Sequence, residues 1–412
     1  MRKKIIIAWL LFLMVLPKLC GCGSPFSNDA NELQDHKEAS SLVYKSSMEI
    51  QYAENFTVDY YESINPAGQS IGTENSKEQP LSEDDSRRDD YYTMLTTTAD
   101  GQRFLVIPEG GEIPENLEEG IIIIKRPVKD VYLVASAVMD MFQELGSLDA
   151  VSFSGQKQEN WYIEEAKEAM EKGNMLYAGK YSKPDYELLV SEGCTLSIEN
   201  RMILHSPEVS EKLEDFGIPV MIEYSSSESH PLGRVEWIKF FGALLGKEEE
   251  AERIFEEQTA ILERLATEDE TDQTVAFFYI TSNGFAQVRR STDYVPKMIE
   301  LAGGKYIFDN LDDSETNRST MNMQMEEFYK GAKDADFLIY NSSIDGGVAN
   351  MEELLDKCGL LADFKAVREG NVWCTTNDMY QQSLSFGYLM EDFHAMLLGE
   401  DEDCMHYLFH LE

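Results

Sequence analysis

Basic residues are scarce in this 412-residue chain: 35 Lys and Arg stand against 76 Asp and Glu, a formal net charge of −41 at pH 7. A surface that negative repels phosphate backbones and anionic headgroups, which excludes binding to nucleic acid or to acidic membranes through charge. Basic or metal-containing partners stay open. Cysteine is sparse as well, six residues in all. Those beyond residue 22 (Cys194, Cys358, Cys374 and Cys404) show no C-x-x-C pairing and no metal-ligand spacing. They read as mostly buried apolar residues, with one disulfide of unassigned pairing left open. No apolar run after residue 16 reaches the roughly 20 residues that a membrane span needs. Catalytic signatures are missing too: there is no G-x-S-x-G, no H-E-x-x-H, no P-loop, and no G-x-G-x-x-G behind a strand. Of the six histidines, only His205 and His230 fall where strands end, and a lone histidine there is more often a hydrogen-bonding residue than a metal ligand.

What is present begins at the N-terminus. Arg2, Lys3 and Lys4 precede an apolar stretch from Ile5 to Leu16, too short for a span but suited to a signal peptide. Leu19-Cys20-Gly21-Cys22 follows, then Gly23 and Ser24. This resembles the lipobox of bacterial lipoproteins, which implies loss of residues 1–21 and a diacylglyceryl group on Cys22. Cys20 is the poorer acceptor, because bulky Lys18 and Leu19 precede it. The expectation is an exported, lipid-anchored protein. Hydrophobic residues at 43%, with 20 Tyr and 20 Phe, supply sizeable cores.

Residues 22–41 are polar and read as a tether. Tyr44 to Tyr61 alternates like a strand, and 64–90 is an acidic stretch almost without aliphatics, expected to be an exposed insertion. From Val131 the pattern becomes β/α. Tyr186 to Asn200 reads as short helix, turn and strand, and Glu326 to Asn341 repeats that theme. The repetition predicts two Rossmann-like α/β lobes, each with a parallel sheet between helices and with a cleft between the lobes. Between them runs a helical pattern from Val235 to about Leu265, which Gly246 divides into a connecting helix and a second helix on the C-terminal lobe. The expected domains are an N-terminal α/β lobe over 42–229, the interdomain helix and its successor over 230–268, and a C-terminal α/β lobe over 269–412.

Several segments are similar to class III substrate-binding proteins, which serve ABC importers of siderophores, haem, corrinoids and related metal complexes. In the first lobe these are Tyr177-Ala-Gly-Lys-Tyr181, Pro184-Asp-Tyr-Glu187 and the strand from Leu196 to Ile198. His230-Pro-Leu-Gly-Arg-Val-Glu-Trp-Ile-Lys239, leading to Leu245-Gly-Lys-Glu-Glu-Glu-Ala251, resembles the entry to that family's interdomain helix. Met298-Ile-Glu-Leu-Ala-Gly-Gly304 and Phe364-Lys-Ala-Val-Arg-Glu-Gly-Asn-Val-Trp373 resemble two second-lobe motifs. The matches run from about residue 130 to about residue 400; the segment before that has no counterpart in the pattern.

The resemblance implies a monomeric binding protein that works with an ABC permease and its ATPase. It implies no catalysis and no intrinsic cofactor, with an iron–siderophore, haem or corrinoid as ligand. Alternatives are a bare metal-ion receptor, for which only His205, His230, Glu199 and Glu228 offer ligands, or a chelatase-like enzyme of related fold. In open α/β sheets ligands meet the loops after the strands. Those loops carry Ser154, Tyr181, Glu199, Arg201, His230 and Arg234 in the first lobe, and Asn283, Arg289, Arg290, Asn341 and Tyr380 in the second. Arg and Tyr suit a carboxylate-bearing, flat-sided ligand. Against this, each Arg reads equally well as a surface charge, and Tyr181 and Trp161 as core packing. The family docks its permease through one acidic residue per lobe. Glu208 lies near the first position; Thr292 occupies the second, with Asp293 beside it.

Overall fold

The computed structural model describes residues 42–64, 90–268, 270–311, 319–342, 344, 347–400 and 405–412. The lipobox, the tether, nearly all of the acidic stretch and Cys404 lie outside the described residues.

The alternating stretch near the start forms two strands rather than one. β1 (Leu42–Ser47) and β2 (Phe56–Ser63) pair antiparallel, followed by β3 (Tyr92–Thr97), β4 (Arg103–Ile107) and β5 (Ile121–Lys125). They make a five-stranded sheet in the order β1-β2-β3-β4-β5. The span 42–229, expected as one lobe, thus carries this sheet in addition to the α/β lobe proper. Alternation gives the sheet two apolar faces: Phe56, Val58, Leu95, Phe104 and Val106 join the main core, while Tyr92, Met94, Leu105 and Ile107 form a smaller cluster.

The first lobe follows. It comprises β6 (Val131–Leu133), α1 (Ser136–Glu144), β7 (Val151–Ser154), α2 (Glu164–Glu171) and β8 (Leu176–Tyr177). A small hairpin of β9 (Gly179–Lys180) and β10 (Lys183–Pro184) leads to α3 (Tyr186–Ser191), β11 (Leu196–Glu199), α4 (Pro207–Asp215) and β12 (Val220–Ile222). The lobe's sheet, β12-β11-β6-β7-β8, is parallel throughout.

α5 (Pro231–Leu245) connects the lobes, and all but two of its residues are buried. It starts with Pro231 and stops at Gly246, whose φ of 73° supplies the left-handed cap. α6 (Glu248–Leu265) then turns an amphipathic face inward. The division at Gly246 is the one expected from the sequence.

The second lobe holds β13 (Thr274–Ile280), β14 (Ala286–Arg289), α7 (Tyr294–Leu301), β15 (Lys305–Tyr306), β16 (Thr320–Met323), α8 (Met325–Ala332) and β17 (Phe337–Tyr340). Then come α9 (Met351–Lys357), α10 (Lys365–Glu369), β18 (Val372–Thr375), α11 (Phe386–Leu398) and β19 (Leu408–His410). Its sheet is mixed, against the expectation of a parallel one. β13, β17 and β18 run parallel at the centre, while β14, β16 and β19 pair antiparallel at the flanks. The reason is local. Residues 281–285 are too short for a crossover, and Asn283-Gly284, with Gly284 at φ 77°, closes a hairpin.

The N-terminal sheet is fastened to α5 by buried carboxylates. Glu236, fully buried, accepts the N–H groups of Gln51 at 2.8 Å, Tyr52 at 2.7 Å and Ala53 at 2.9 Å. Glu228 accepts those of Glu54 and Asn55, both at 3.0 Å, and the indole N–H of Trp237 at 3.0 Å. Lys239 lies 3.5 Å from Glu236 and 3.1 Å from Glu252. These bonds take up the amides of 51–55, which is why the strand pattern breaks there. Gly233 permits the approach, since a Cβ would stand 2.9 Å from the Tyr52 carbonyl oxygen.

Candidate functional site

The strand ends of the first lobe carry a polar cluster. Ser154, fully buried, donates from Oγ to the Gln156 carbonyl at 2.7 Å and accepts Trp161 Nε1–H at 3.0 Å, so it shapes its own loop. Glu199 is likewise fully buried. Ser197 Oγ donates to its Oε1 at 2.9 Å, and Oε2 has no hydrogen-bond partner. Burial pushes this carboxyl up to about 8, so it is mostly neutral at pH 7. Glu223, beyond β12, accepts the Ser225 N–H at 2.8 Å. Burial raises its pKa, opposed by Ser225, Arg234 and Arg201.

Arg234 closes the first turn of α5. Its Nε donates to the Glu228 carbonyl at 3.1 Å and Nη2 to the Ser226 carbonyl at 2.7 Å. The guanidinium lies 3.7 Å from the centroid of the Tyr294 ring, which belongs to α7 of the second lobe. Arg201, exposed, donates to Ser227 Oγ at 2.9 Å.

On the second lobe Arg289 ends β14 and donates to the Tyr380 hydroxyl, which Asn341 Nδ2 also meets at 2.9 Å. The Arg289 guanidinium lies 5.9 Å from the Tyr294 centroid and 3.6 Å from Asp293. Tyr294 stacks on Phe386 with centroids 5.1 Å apart, and its buried hydroxyl has no hydrogen-bond partner. Two arginines, one on the connecting helix and one on the second lobe, therefore share one aromatic ring. Electrostatic coupling of Arg234 to Asp293, Arg289 and Glu223 puts both lobes' charges in one neighbourhood.

The structure thus brings together Arg234, Arg289, Asn341 and Tyr380, with Arg201 attached through Ser227. Other expected site residues stand elsewhere. His230 caps α5 by accepting the Leu232 N–H at 3.2 Å, and its ring stacks on Tyr52 of the N-terminal sheet at 4.6 Å. Burial, then Lys297, lowers its pKa. Asn283 is an exposed hairpin turn residue, and Arg290 is buried just after β14, its backbone N–H on the Ser319 carbonyl at 2.9 Å. Tyr181 lies in the β9–β10 turn and packs against the core. Glu208 is exposed in the first turn of α4. Asp293 is not at the surface: it is 5% exposed and caps α7 by accepting the Val295 N–H at 3.1 Å. An Asp just ahead of a helix is a capping signal, and that role competes with docking. Tyr294 was not singled out in the sequence; its place one residue after that cap was the available sign.

Among the described residues Cys194 and Cys374 are buried and Cys358 half-buried, and none of the three is in a disulfide. No helix of the described residues is long and apolar enough to cross a membrane.

No protein-family model matches the chain. An uncharacterized lipoprotein of Methanocaldococcus jannaschii is 26% identical over 404 residues, covering 93% of this chain and 89% of that protein. A second uncharacterized lipoprotein of that organism is 29% identical over 77% of this chain and 82% of its own length. Among solved structures, the periplasmic heme-binding protein of Vibrio cholerae matches with a TM-score of 0.53 at 17% identity, over 64% of this chain and 98% of that one. A periplasmic binding protein of Veillonella parvula matches at 0.53 and 15%, over 70% and 97%. A periplasmic heme-binding protein of Pseudomonas aeruginosa matches at 0.51 and 14%, over 65% and 92%. These proteins align almost end to end, so about a third of this chain has no counterpart in them, and residues 131–412 make up a share like the matched one. The chain therefore has the fold of the class III periplasmic binding proteins, two α/β lobes with a further sheet set in front of them.

Proposed function

We propose that this protein is the extracytoplasmic binding component of an ABC importer, held at the membrane by a lipid on Cys22. It captures an anionic metal chelate (an iron–siderophore, haem or corrinoid) between the lobes and hands it to the permease and its ATPase without turnover. The observation that carries this reading is the meeting of Arg234 and Arg289 at Tyr294, 3.7 Å and 5.9 Å from the ring centroid. In a chain of net charge −41, guanidinium groups gathered from two elements favour carboxylates, and the half-buried Tyr380 ring beside Arg289 favours a flat-sided ligand. Two of the structural relatives named above are described as heme-binding. Among the described residues, no group of three or more His, Cys, Asp or Glu side chains is placed to hold a bare metal ion.

A thermal-shift panel of hemin, cobalamin, ferric siderophores and simple Fe, Zn and Mn salts tests the reading. One chelate is expected to raise the melting temperature; at a hundred times its Kd the gain is about 2.7 kcal/mol. The Arg234→Met/Arg289→Met variant is expected to weaken that chelate at least tenfold, or about 1.4 kcal/mol. Stabilisation by a metal salt alone, lost in His205→Ala/His230→Ala, establishes a metal-ion receptor instead.

Docking to the permease is assigned to Glu208. Exposed charge pairs contribute about 0.2–1 kcal/mol, so Glu208→Arg is expected to slow uptake by about 1.4- to fivefold while leaving ligand affinity unchanged. Uptake at the normal rate removes Glu208 from the docking surface.

A further inference from the structure

The segment after β18 crosses from the second lobe to the first. Gln381 uses both ends of its amide: Oε1 accepts the Tyr162 N–H at 2.8 Å and Nε2 donates to the Asn160 carbonyl at 2.8 Å. Ser383 Oγ donates to the Ala137 carbonyl at 3.1 Å, and the Leu384 N–H donates to Asp140 Oδ2 at 3.0 Å. Every one of these bonds joins the lobes, and all must break for the lobes to part here. Asp140, on α1, is only 6% exposed. Asp378, at the start of the crossing segment, acts on it electrostatically and has a buried Oδ1 without a hydrogen-bond partner.

Charged and polar groups surround Asp140 on several elements. Glu144 lies on its own helix. Glu164 and Glu165 of α2, and Arg253 and Glu257 of α6, line with it a cavity of about 430 Å³. Tyr388 of α11 lines it too and donates to Glu257 at 2.8 Å. From the C-terminal segment, the Tyr407 hydroxyl donates to Gln382 Oε1 at 2.6 Å. Arg253, the one cation among these lining residues, is engaged by Glu250 at 2.7 Å and Glu257 at 3.4 Å.

We propose that residues 376–385 form a latch between the lobes that loosens as pH rises from acidic to neutral, with Asp140 as the titrating group. Burial pushes the Asp140 carboxyl up to about 7, against which only the Leu384 N–H pulls; Glu144 and Asp378 add to the rise. Once the lobes part, the carboxyl returns toward the ordinary value of about 4. The latched state is the one that holds the proton. Its contribution is complete below about pH 4, declines as pH climbs, and is spent above about pH 7. A binding protein so built grips more firmly in acidic surroundings and lets its lobes move more freely at neutral pH.

The donors of the latch are themselves the reporters. Hydrogen exchange at the Tyr162 and Leu384 amides is measured in the ligand-free protein at pH 5.5 and pH 8, with intrinsic rates corrected. Protection is expected to fall on the order of tenfold between the two. Asp140→Asn keeps the acceptor for Leu384 and removes the charge, so its protection is expected to be the same at both pH values. Gln381→Ala is expected to lower protection at both while leaving the difference intact. A wild-type protection that does not change with pH overturns the proposal, as does an Asp140→Asn variant that keeps the change. Should Asp140→Asn fail to fold by circular dichroism, Asp378→Asn decides: a smaller pH difference supports the latch, and an unaltered one overturns it. No ligand enters the measurement, so its outcome is independent of the transport reading.

Discussion

Glu236→Ala is expected to lose about 3 kcal/mol or more of stability, an effect out of proportion to one polar side chain. Glu236 has no exposed surface and accepts three successive amides, of Gln51, Tyr52 and Ala53. Truncation strands those amides and removes one of the two carboxylates beside Lys239, itself 1% exposed. Removing one partner of a buried ion pair costs about 3–5 kcal/mol. Glu252, 39% exposed at its side chain, still neutralises Lys239 and keeps the loss toward the lower end. Glu236→Gln retains one acceptor oxygen and is expected to lose less. Urea denaturation reads the stability, and hydrogen exchange at residues 51–53 reads the local effect. A loss under about 1 kcal/mol, with those amides still protected, means that apolar packing of Phe56 against Trp237 and Phe240 holds the sheet by itself.

That clasp was also the feature least legible in the sequence. The connecting helix announced itself through apolar spacing and through Gly246, because both follow from residues near one another in the chain. Glu236 and Lys239 fell on the same helix and read as ordinary polar positions. The partners of Glu236 are backbone amides some 185 positions earlier, and backbone groups leave no residue signature. The second lobe's edge strands show the opposite case. Asn283-Gly284 is a hairpin signal that the expectation of a parallel sheet overrode, so a turn residue was counted as a ligand contact. Asp293 was likewise assigned to docking although its position ahead of α7 marks it as a cap. Arg234, Arg289 and Tyr380 do stand near one another, but only Tyr380 lies in a loop after a parallel strand: Arg289 ends the antiparallel β14 and Arg234 lies on α5.

The acidic excess of the chain is partly spent indoors in the same manner, and Asp392 is the strongest second case. It lies on α11, 2% exposed, and accepts the N–H groups of His406 at 3.0 Å, Tyr407 at 2.6 Å and Leu408 at 3.2 Å. Desolvation raises its pKa, only partly offset by those amides and by His406. The three amides lead directly into β19, which pairs with β18 from Trp373↔His410 to Thr375↔Leu408. Asp392→Ala leaves the Tyr407 and Leu408 amides buried without an acceptor, at about 1–3 kcal/mol each. The expected loss is therefore about 3 kcal/mol, concentrated in the last strand. Trp373 reports it: its ring, 7% exposed, rests 5.1 Å from His410, so release of β19 is expected to shift tryptophan emission to the red. Trp161 and Trp237, 1% and 0% exposed, stay in place and supply the unshifted background. The effect should also reach the lobe junction, because the Thr376 N–H donates to the Tyr407 carbonyl at 2.9 Å at the start of the crossing segment. Loss of β19 thus frees one end of residues 376–385, and faster exchange at the Tyr162 amide is expected alongside the red shift. Emission and Tyr162 exchange both unchanged in a folded Asp392→Ala protein mean that pairing with β18 alone secures the C-terminus.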